Sequence, residues 1–202
     1  MPRKLTLLCL IGCSFLVFSC HKSNDAGGSS AQLVGNYKLL YLSLQSQSVN
    51  QVSGGGQTQK TVTNTSYTTV QNTGTISFTK DSIASKGVGY TANWTSIGYV
   101  YQNGSLIDSV SIPFSITIPP TNSATKYDVI GSDSLYFHGG YLTAGIGGGS
   151  TIAPPSGGRY SFKGDTLFLI SKVSQTTPPQ TSGGITVTAS ASGVATIAML
   201  KQ

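Results

Sequence analysis

The sequence predicts an all-β fold built as an antiparallel meander. Strand formers such as Thr, Val and Tyr are abundant, whereas helix formers are scarce and the six acidic residues are all Asp. Large apolar residues alternate strictly with Ser, Thr or Pro over residues 110–118, which is the period of a sheet with one solvent-exposed face. Asn103-Gly104 between two strand-like runs is the strongest short hairpin signal.

The N-terminus has the order of a secretory signal. Arg3 and Lys4 precede an apolar run over residues 5–18, and the small residue Ser19 follows. The run is shorter than the roughly 20 apolar residues that span a membrane. We therefore expect residues 1–19 to be a cleaved signal peptide.

Cys20 lies at the border between the apolar run and a polar segment. Val17-Phe18-Ser19-Cys20 resembles the lipobox of bacterial lipoproteins, which implies acylation of the Cys20 sulfur and attachment to the membrane. Leu10-Ile11-Gly12-Cys13 is the alternative lipobox, but cleavage there would leave apolar residues 14–18 at the start of the mature chain. The interpretation is a lipid on Cys20, a flexible tether over residues 20–32 and a β domain over residues 33–202.

Removal of the signal peptide determines how many cysteines and what net charge the mature chain keeps. Cys9 and Cys13 leave with the signal, so the mature chain has no disulfide. Loss of Arg3 and Lys4 lowers the net charge of +6 by two, to about +4. The remaining lysines are scattered singly, which excludes the basic patch that nucleic-acid binding needs.

The β domain divides into strands and turns along the chain. Residues 33–44 predict a first strand covered on both faces, residues 45–57 a polar loop, and residues 58–71 a Thr-rich strand. Three segments combine a strand, a turn with Asp-Ser or Asp-Thr and a second strand, which indicates consecutive hairpins. They are residues 76–83, 127–137 and 160–169. Residues 184–191 and 193–200 predict a last strand pair.

The Asn103-Gly104 hairpin gives a register and a candidate ligand site. A two-residue turn places Tyr101 opposite Leu106 and Tyr99 opposite Asp108, with Ile97 opposite Val110. Tyr99, Tyr101 and Asp108 would then share the inward face and form the polar floor or rim of a ligand pocket. The alternative is that Asp108 is a water-exposed residue at a strand end, since unpaired charges are rarely buried.

The same register predicts an outward Trp94. Trp94 lies opposite Pro113 and its side chain points to the outer face of the hairpin, unless a bulge intervenes. An outward Trp94 favours contact with another molecule at the surface over a role in lining the pocket.

The opening residues 33–39, the hairpin over residues 160–167 and the short tail after the last strand resemble the lipocalin-like lipoproteins of Bacteroidetes. This resemblance implies that the meander closes into a lipocalin-like β-barrel in a protein of the outer membrane. A barrel also removes exposed sheet edges. The alternative is an immunoglobulin-like β-sandwich, which the missing cysteine pair and the Gly/Pro-rich loops at residues 119–125 and 145–158 disfavour. No acidic cluster follows Cys20, so we expect the periplasmic face rather than the cell surface.

Catalytic and metal chemistry has little support in the sequence. His138 is the sole histidine of the predicted domain, which excludes a His-rich zinc site. The glycine runs lack the Lys-Ser/Thr of a phosphate loop. We expect no enzyme, no metal and no cofactor, but a domain that binds a small apolar or sugar-like ligand. The alternative is a structural or surface interaction module with a filled core, and the oligomeric state stays open.

Four aspartates are followed by a hydroxyl residue and an aliphatic one. This pattern resembles the O-glycosylation acceptor of Bacteroidetes envelope proteins and implies the acceptors Ser82, Ser109, Ser134 and Thr166. Turn formation explains three of the four without a glycan. It does not explain Asp108-Ser109, which lies several residues beyond its turn.

Overall fold

The computed structural model describes residues 30–139 and 156–202, which form one helical turn and an antiparallel sheet. The elements are α1 Ser30–Leu33, β1 Gly35–Gly54, β2 Gln57–Thr68, β3 Val70–Phe78, β4 Ser82–Gln102, β5 Ser105–Ile130, β6 Ser134–Phe137, β7 Ser156–Lys163, β8 Thr166–Ser182 and β9 Ile185–Lys201. The all-β meander is confirmed. The predicted signal peptide and Cys20 lie outside the described residues, as does most of the loop predicted at 145–158.

The strands form a ring of hydrogen-bonded neighbours. From β3 to β9 each strand pairs with the next one along the chain, and both β3 and β9 pair with β1. β2 pairs with β1 and β4, so β2 and β3 lie end to end between the same two strands. Within the described ranges, no helix is long and apolar enough to cross a membrane.

The buried core lies at the end of the ring where all three short strands, β3, β6 and β7, take part. The rings of Tyr37 and Phe78 meet edge to face with their centroids 5.5 Å apart, and Phe78 contacts Tyr127 in the same way at 5.7 Å. Leu33 of α1 is fully buried, and its carbonyl accepts a hydrogen bond from the Tyr37 hydroxyl at 2.8 Å. Other fully buried members of this core are Leu39, Leu42, Ile76, Ile83, Leu135, Leu167 and Met199.

Six strands continue beyond the core end. We call this part the extension; it comprises residues 43–54 of β1, 57–68 of β2, 93–102 of β4, 105–116 of β5, 171–182 of β8 and 185–195 of β9. Its inner face is the one that continues from the core residues Leu42, Ile197 and Ala92, and the opposite face is the outer face. Most extension side chains on both faces are half-buried or exposed.

Three predicted boundaries are wrong because strand pairing overrides local composition. Residues 45–54, predicted as a loop, belong to β1, since β2 and β9 pair with them on both sides. Residues 119–125, also predicted as a loop, belong to β5 and pair with β4. The two predicted C-terminal strands are the single strand β9, which turns back on β8 through Gly183-Gly184.

The three hairpins with Asp-Ser or Asp-Thr turns are confirmed. They connect β3 to β4, β5 to β6 and β7 to β8. At the first of these turns, the Thr79 hydroxyl donates a hydrogen bond to the Asp81 carboxylate at 3.2 Å. This is the local side-chain bonding that favours Asp at turns.

Candidate functional site

The β4–β5 hairpin turns at Asn103-Gly104, as expected. Both residues have positive φ, 49° and 87°, which defines a type I′ turn, and Tyr101 lies opposite Leu106. One position further from the turn, Val100 lies opposite Asp108. Ile107 is therefore an extra residue in β5, that is, a β-bulge.

The bulge shifts the register of the whole hairpin beyond it. Tyr99 lies opposite Ser109, not opposite Asp108. The partner of Val110 is Gly98, not Ile97. The predicted register is therefore wrong beyond the first pairs, because a one-residue slip exchanges the two faces of a strand.

The three predicted ligand residues do not share a face. Asp108 lies on the inner face with Val110, whereas Tyr99 and Tyr101 lie on the outer face. On the outer face, the ammonium group of Lys60 is 6.0 Å from the centre of the Tyr101 ring. The structure therefore does not assemble one site from Tyr99, Tyr101 and Asp108.

Asp108 lies at one of two strand edges that pair with no other strand of the described residues; the other is the edge of β8 from Ser171 to Ser182. The Asp108 carboxylate accepts a hydrogen bond from the Ser109 backbone N–H at 2.7 Å, and its side chain is exposed. From Ser105 to Ala124, the second edge of β5 pairs with no strand of the described part of the chain. Asp108 occupies one amide there and Pro113 offers none, and both features hinder pairing with a foreign strand.

Trp94 belongs to a row of aromatic rings on the inner face of the extension. The bulge places Trp94 opposite Phe114, and these two rings stack with centroids 5.2 Å apart and planes 17° apart. On the other side, Tyr67 of β2 lies 4.8 Å from the Trp94 ring with planes 31° apart. The aromatic row Tyr67–Trp94–Phe114 thus crosses three neighbouring strands.

Polar groups fix the orientation of Trp94. Its indole N–H donates a hydrogen bond to the Ser96 hydroxyl at 3.1 Å. The Ser96 and Thr65 hydroxyls are 2.8 Å apart and bonded to each other. The indole is therefore held on both ring faces by aromatic neighbours and at its nitrogen by a bonded hydroxyl pair.

Tyr90 lies on the core side of the aromatic row. It is on the inner face of β4, separated from Trp94 by the small, buried Ala92, and only 7% of its surface is exposed. Burial raises the pKa of Tyr90. Burial, followed by the neighbouring Tyr90, raises the pKa of Tyr67 to about 12. Both phenols are therefore neutral at physiological pH.

The predicted glycosylation residues differ in accessibility. Ser109 is exposed on the outer face of β5, whereas Ser82, Ser134 and Thr166 are half-buried. The Ser82 hydroxyl is bonded to the Thr79 hydroxyl at 2.6 Å, and the Ser134 hydroxyl donates to the Asp133 carboxylate at 3.0 Å. Ser109 is thus the most accessible of the four.

Two pairs of titratable side chains lie elsewhere in the described ranges, and one of them joins Nε of Arg159 to the Asp133 carboxylate at 3.8 Å. Nε2 of His138 lies 2.7 Å from the Asp128 carboxylate, and both side chains are about half exposed. No group of three or more His, Cys, Asp or Glu side chains in the described ranges could hold a metal ion.

Comparison with known proteins finds no relative: no protein-family model, no curated protein and no solved structure matches this chain. The site must therefore be interpreted from its own geometry. The sequence-based interpretation missed the aromatic row and Tyr90. The row depends on the β2–β4 pairing and on the bulge at Ile107, and no local sequence signal marks either of them.

Proposed function

We propose that this protein is an envelope lipoprotein that binds a small apolar or sugar-like ligand against the aromatic row. In this proposal Cys20 carries the lipid that anchors the protein to the periplasmic face of the outer membrane, the ring of strands is a lipocalin-like β-barrel, and the extension is its mouth. The observation that carries the proposal is the row Tyr67–Trp94–Phe114, which lies on the face that continues from the core.

The chemistry of the row suits an uncharged ligand with an apolar surface. Phe114 ends the row on β5, whose second edge is unpaired there, and 44% of its surface is exposed. Aromatic pairs contribute about 0.5–1.5 kcal/mol beyond area burial, so a ring or sugar packed against Phe114 would gain affinity. The hydroxyls of Ser96 and Thr65 supply polar groups beside the rings.

Native mass spectrometry of the lipoprotein, gently purified from its own envelope, tests this proposal. We expect a stoichiometric small molecule in addition to the acylated chain. Because Trp94 is the single tryptophan of the chain, its fluorescence then reports re-binding of the extracted molecule directly.

The chain offers a matched pair of variants for this titration. Phe114→Ala should weaken binding about fivefold or more, since loss of the ring costs about 1 kcal/mol. Ile112→Ala is the control, because Ile112 lies on the same face with the same 44% exposure but outside the row. A ligand-free protein, or equal effects of both variants, would contradict binding at the row.

The alternative is an interaction module that contacts another macromolecule. Two observations favour it. The core end of the ring is filled by side chains, and large apolar residues are exposed along β5, namely Leu106, Ile107, Val110, Ile112 and Phe114. Under this alternative the protein carries no small molecule. A chemical cross-linker placed on β5 would then capture a macromolecule in intact cells.

The anchor is tested separately. Cys20→Ala should abolish incorporation of labelled palmitate and leave the protein uncut or soluble. Cys13→Ala is the matched control and should keep both acylation and cleavage. Loss of the label in Cys13→Ala alone would show that the lipid is attached to the other cysteine.

A further inference from the structure

A small cavity opens on the outer face of the extension, at the end farthest from the core. Its volume is about 330 Å³, and β1, β2, β4 and the β4–β5 turn contribute its walls. The lining residues are Gln51, Thr58, Lys60, Val62, Tyr101 and Gly104. Pockets for small molecules span about 300–1,000 Å³, so this cavity suits a single ring rather than a longer chain.

Hydrogen bonds between two segments fix the walls of the cavity. The Asn103 backbone N–H donates to the Thr58 carbonyl at 2.8 Å, and the Thr58 backbone N–H donates to the Asn103 side-chain carbonyl at 2.9 Å. The Asn103 side-chain amide also donates to the Gln57 side-chain carbonyl at 2.5 Å. These bonds join the start of β2 to the β4–β5 turn, so little ordering is needed when a ligand binds.

The cavity carries a positive charge that no neighbouring carboxylate neutralises. Lys60 is exposed and forms no ion pair with any residue of the described ranges. The chain contains no Glu, and Asp108 is the only Asp of the extension. Asp108 lies on the inner face, whereas Lys60 lies on the outer face opposite Tyr101. An anionic group is therefore the favourable partner for the Lys60 ammonium group.

The ring of Tyr101 provides an apolar wall beside this charge. Tyr101 is half-buried, and the Lys60 ammonium group is 6.0 Å from the centre of its ring. A ligand ring that packs against Tyr101 at van der Waals distance, about 4 Å, therefore brings its substituents within reach of the ammonium group. The face of an aromatic ring is electron-rich, so it attracts the weakly positive C–H groups of a sugar ring.

Polar side chains complete the lining. The Gln51 side-chain amide donates to the Ser53 hydroxyl at 3.4 Å, and the Ser53 and Thr58 hydroxyls are 3.2 Å apart and bonded to each other. An amide and a hydroxyl can each donate and accept hydrogen bonds, as sugar hydroxyls do. The lining therefore favours a hydroxylated ring over a purely apolar one.

We propose that this cavity binds one acidic sugar residue, a hexuronate, whose ring packs against Tyr101 and whose carboxylate pairs with the ammonium group of Lys60. The hydroxyls of the sugar exchange hydrogen bonds with Gln51 and Thr58. This second site is separate from the aromatic row, which lies on the inner face of the extension. It goes beyond the proposed function and does not depend on it.

Three probes with six-membered rings test the proposal. Methyl glucuronide carries a carboxylate and hydroxyls, methyl glucoside carries hydroxyls without the charge, and cyclohexanecarboxylate carries the charge without hydroxyls. The titrations use the protein purified from its own cells in detergent and are followed by saturation-transfer NMR, with protein-free micelles as the blank. We expect methyl glucuronide to bind about fivefold or more tightly than each of the other two.

Lys60→Gln should abolish the preference for methyl glucuronide over methyl glucoside and leave the affinity for methyl glucoside unchanged. Lys38→Gln is the matched control and should keep the preference, because Lys38 is an exposed lysine of β1 outside the extension. Tyr101→Leu should weaken both sugars about fivefold. Tyr136→Leu, at an exposed tyrosine of β6, should weaken neither. Unchanged Trp94 fluorescence shows in each variant that the sheet is intact.

The wild-type protein provides a measurement that needs no variant. Raising the salt concentration should reduce the preference for methyl glucuronide, because dissolved ions screen an exposed ion pair. If methyl glucuronide does not bind, or if Lys60→Gln keeps the preference, the proposed site is wrong. Equal binding of methyl glucoside would overturn the acidic class of the ligand, and equal binding of cyclohexanecarboxylate would overturn the sugar. None of these outcomes bears on the aromatic row, which the Phe114 and Ile112 variants test.

Discussion

Trp94 lies opposite Phe114 across the β4–β5 ladder, and their rings stack at 5.2 Å. Without the bulge at Ile107, Trp94 would lie opposite Pro113, and Phe114 would lie on the outer face instead of beside Trp94. One extra residue near the turn therefore decides whether Phe114 joins Tyr67 and Trp94 on the inner face of the extension. That face is where we place ligand binding.

The type I′ turn makes a prediction for stability. Gly104 has a φ of 87°, a conformation that β-branched residues adopt poorly. Gly104→Val should lower the free energy of unfolding by about 1 kcal/mol or more, measured by urea denaturation. Ser105→Val is the control, because the next residue is exposed and already lies in β5, where a β-branched side chain fits. Equal stability of Gly104→Val and wild type would contradict the turn.

The raised tyrosine pKa values predict alkaline sensitivity. Burial is the main reason that the pKa of Tyr67 and that of Tyr127 rise to about 12 from the ordinary tyrosine value of 10.0. A raised folded-state pKa stabilises the fold fully below pH 10, and this contribution is lost as the pH rises through 12. Urea unfolding across this window should show falling stability, with a shallower fall for Tyr67→Phe. The exposed Tyr136→Phe is the control and should follow the wild type.

Two residues hinder strand pairing at the free edge of β5, and replacing them should cause self-association. Asp108→Ala frees the Ser109 amide, and Pro113→Ser restores a missing donor beside exposed apolar side chains. We expect the double variant to form concentration-dependent oligomers in light scattering, more than either single variant. Asp165→Ala is the control: it removes the same charge at a turn, and its oligomeric state in light scattering should match that of the wild type. A double variant that behaves like Asp165→Ala would show that the edge needs no protection.

Ser109 is the strongest of the four proposed glycosylation acceptors, because it is exposed and Asp108 precedes it within a strand rather than at a turn. In the protein purified from its own cells, intact-mass analysis should show an added mass that Ser109→Ala reduces. Ser111→Ala is the control, since Ser111 lies on the same face without an aspartate before it. A mass equal to that of the chain with the proposed lipid, and nothing further, would refute glycosylation.

The sequence by itself determined the local features of this fold. Alternation over residues 110–118 and the Asp turns predicted strands and hairpins correctly, because side-chain period and turn chemistry act over a few neighbouring residues. Asn103-Gly104 predicted its turn for the same reason, since both residues accept positive φ.

Only the tertiary structure decided which residues meet. The polar residues 45–54 became a strand because β2 and β9 satisfy their backbone groups from both sides. Tyr67 reached Trp94 because β2 pairs with β4, and Phe114 reached it because Ile107 bulges. A strand register is a relation between distant segments and can shift by one residue without any change in local preference. For that reason the sequence predicted the strands of the site but placed Trp94 on the wrong face.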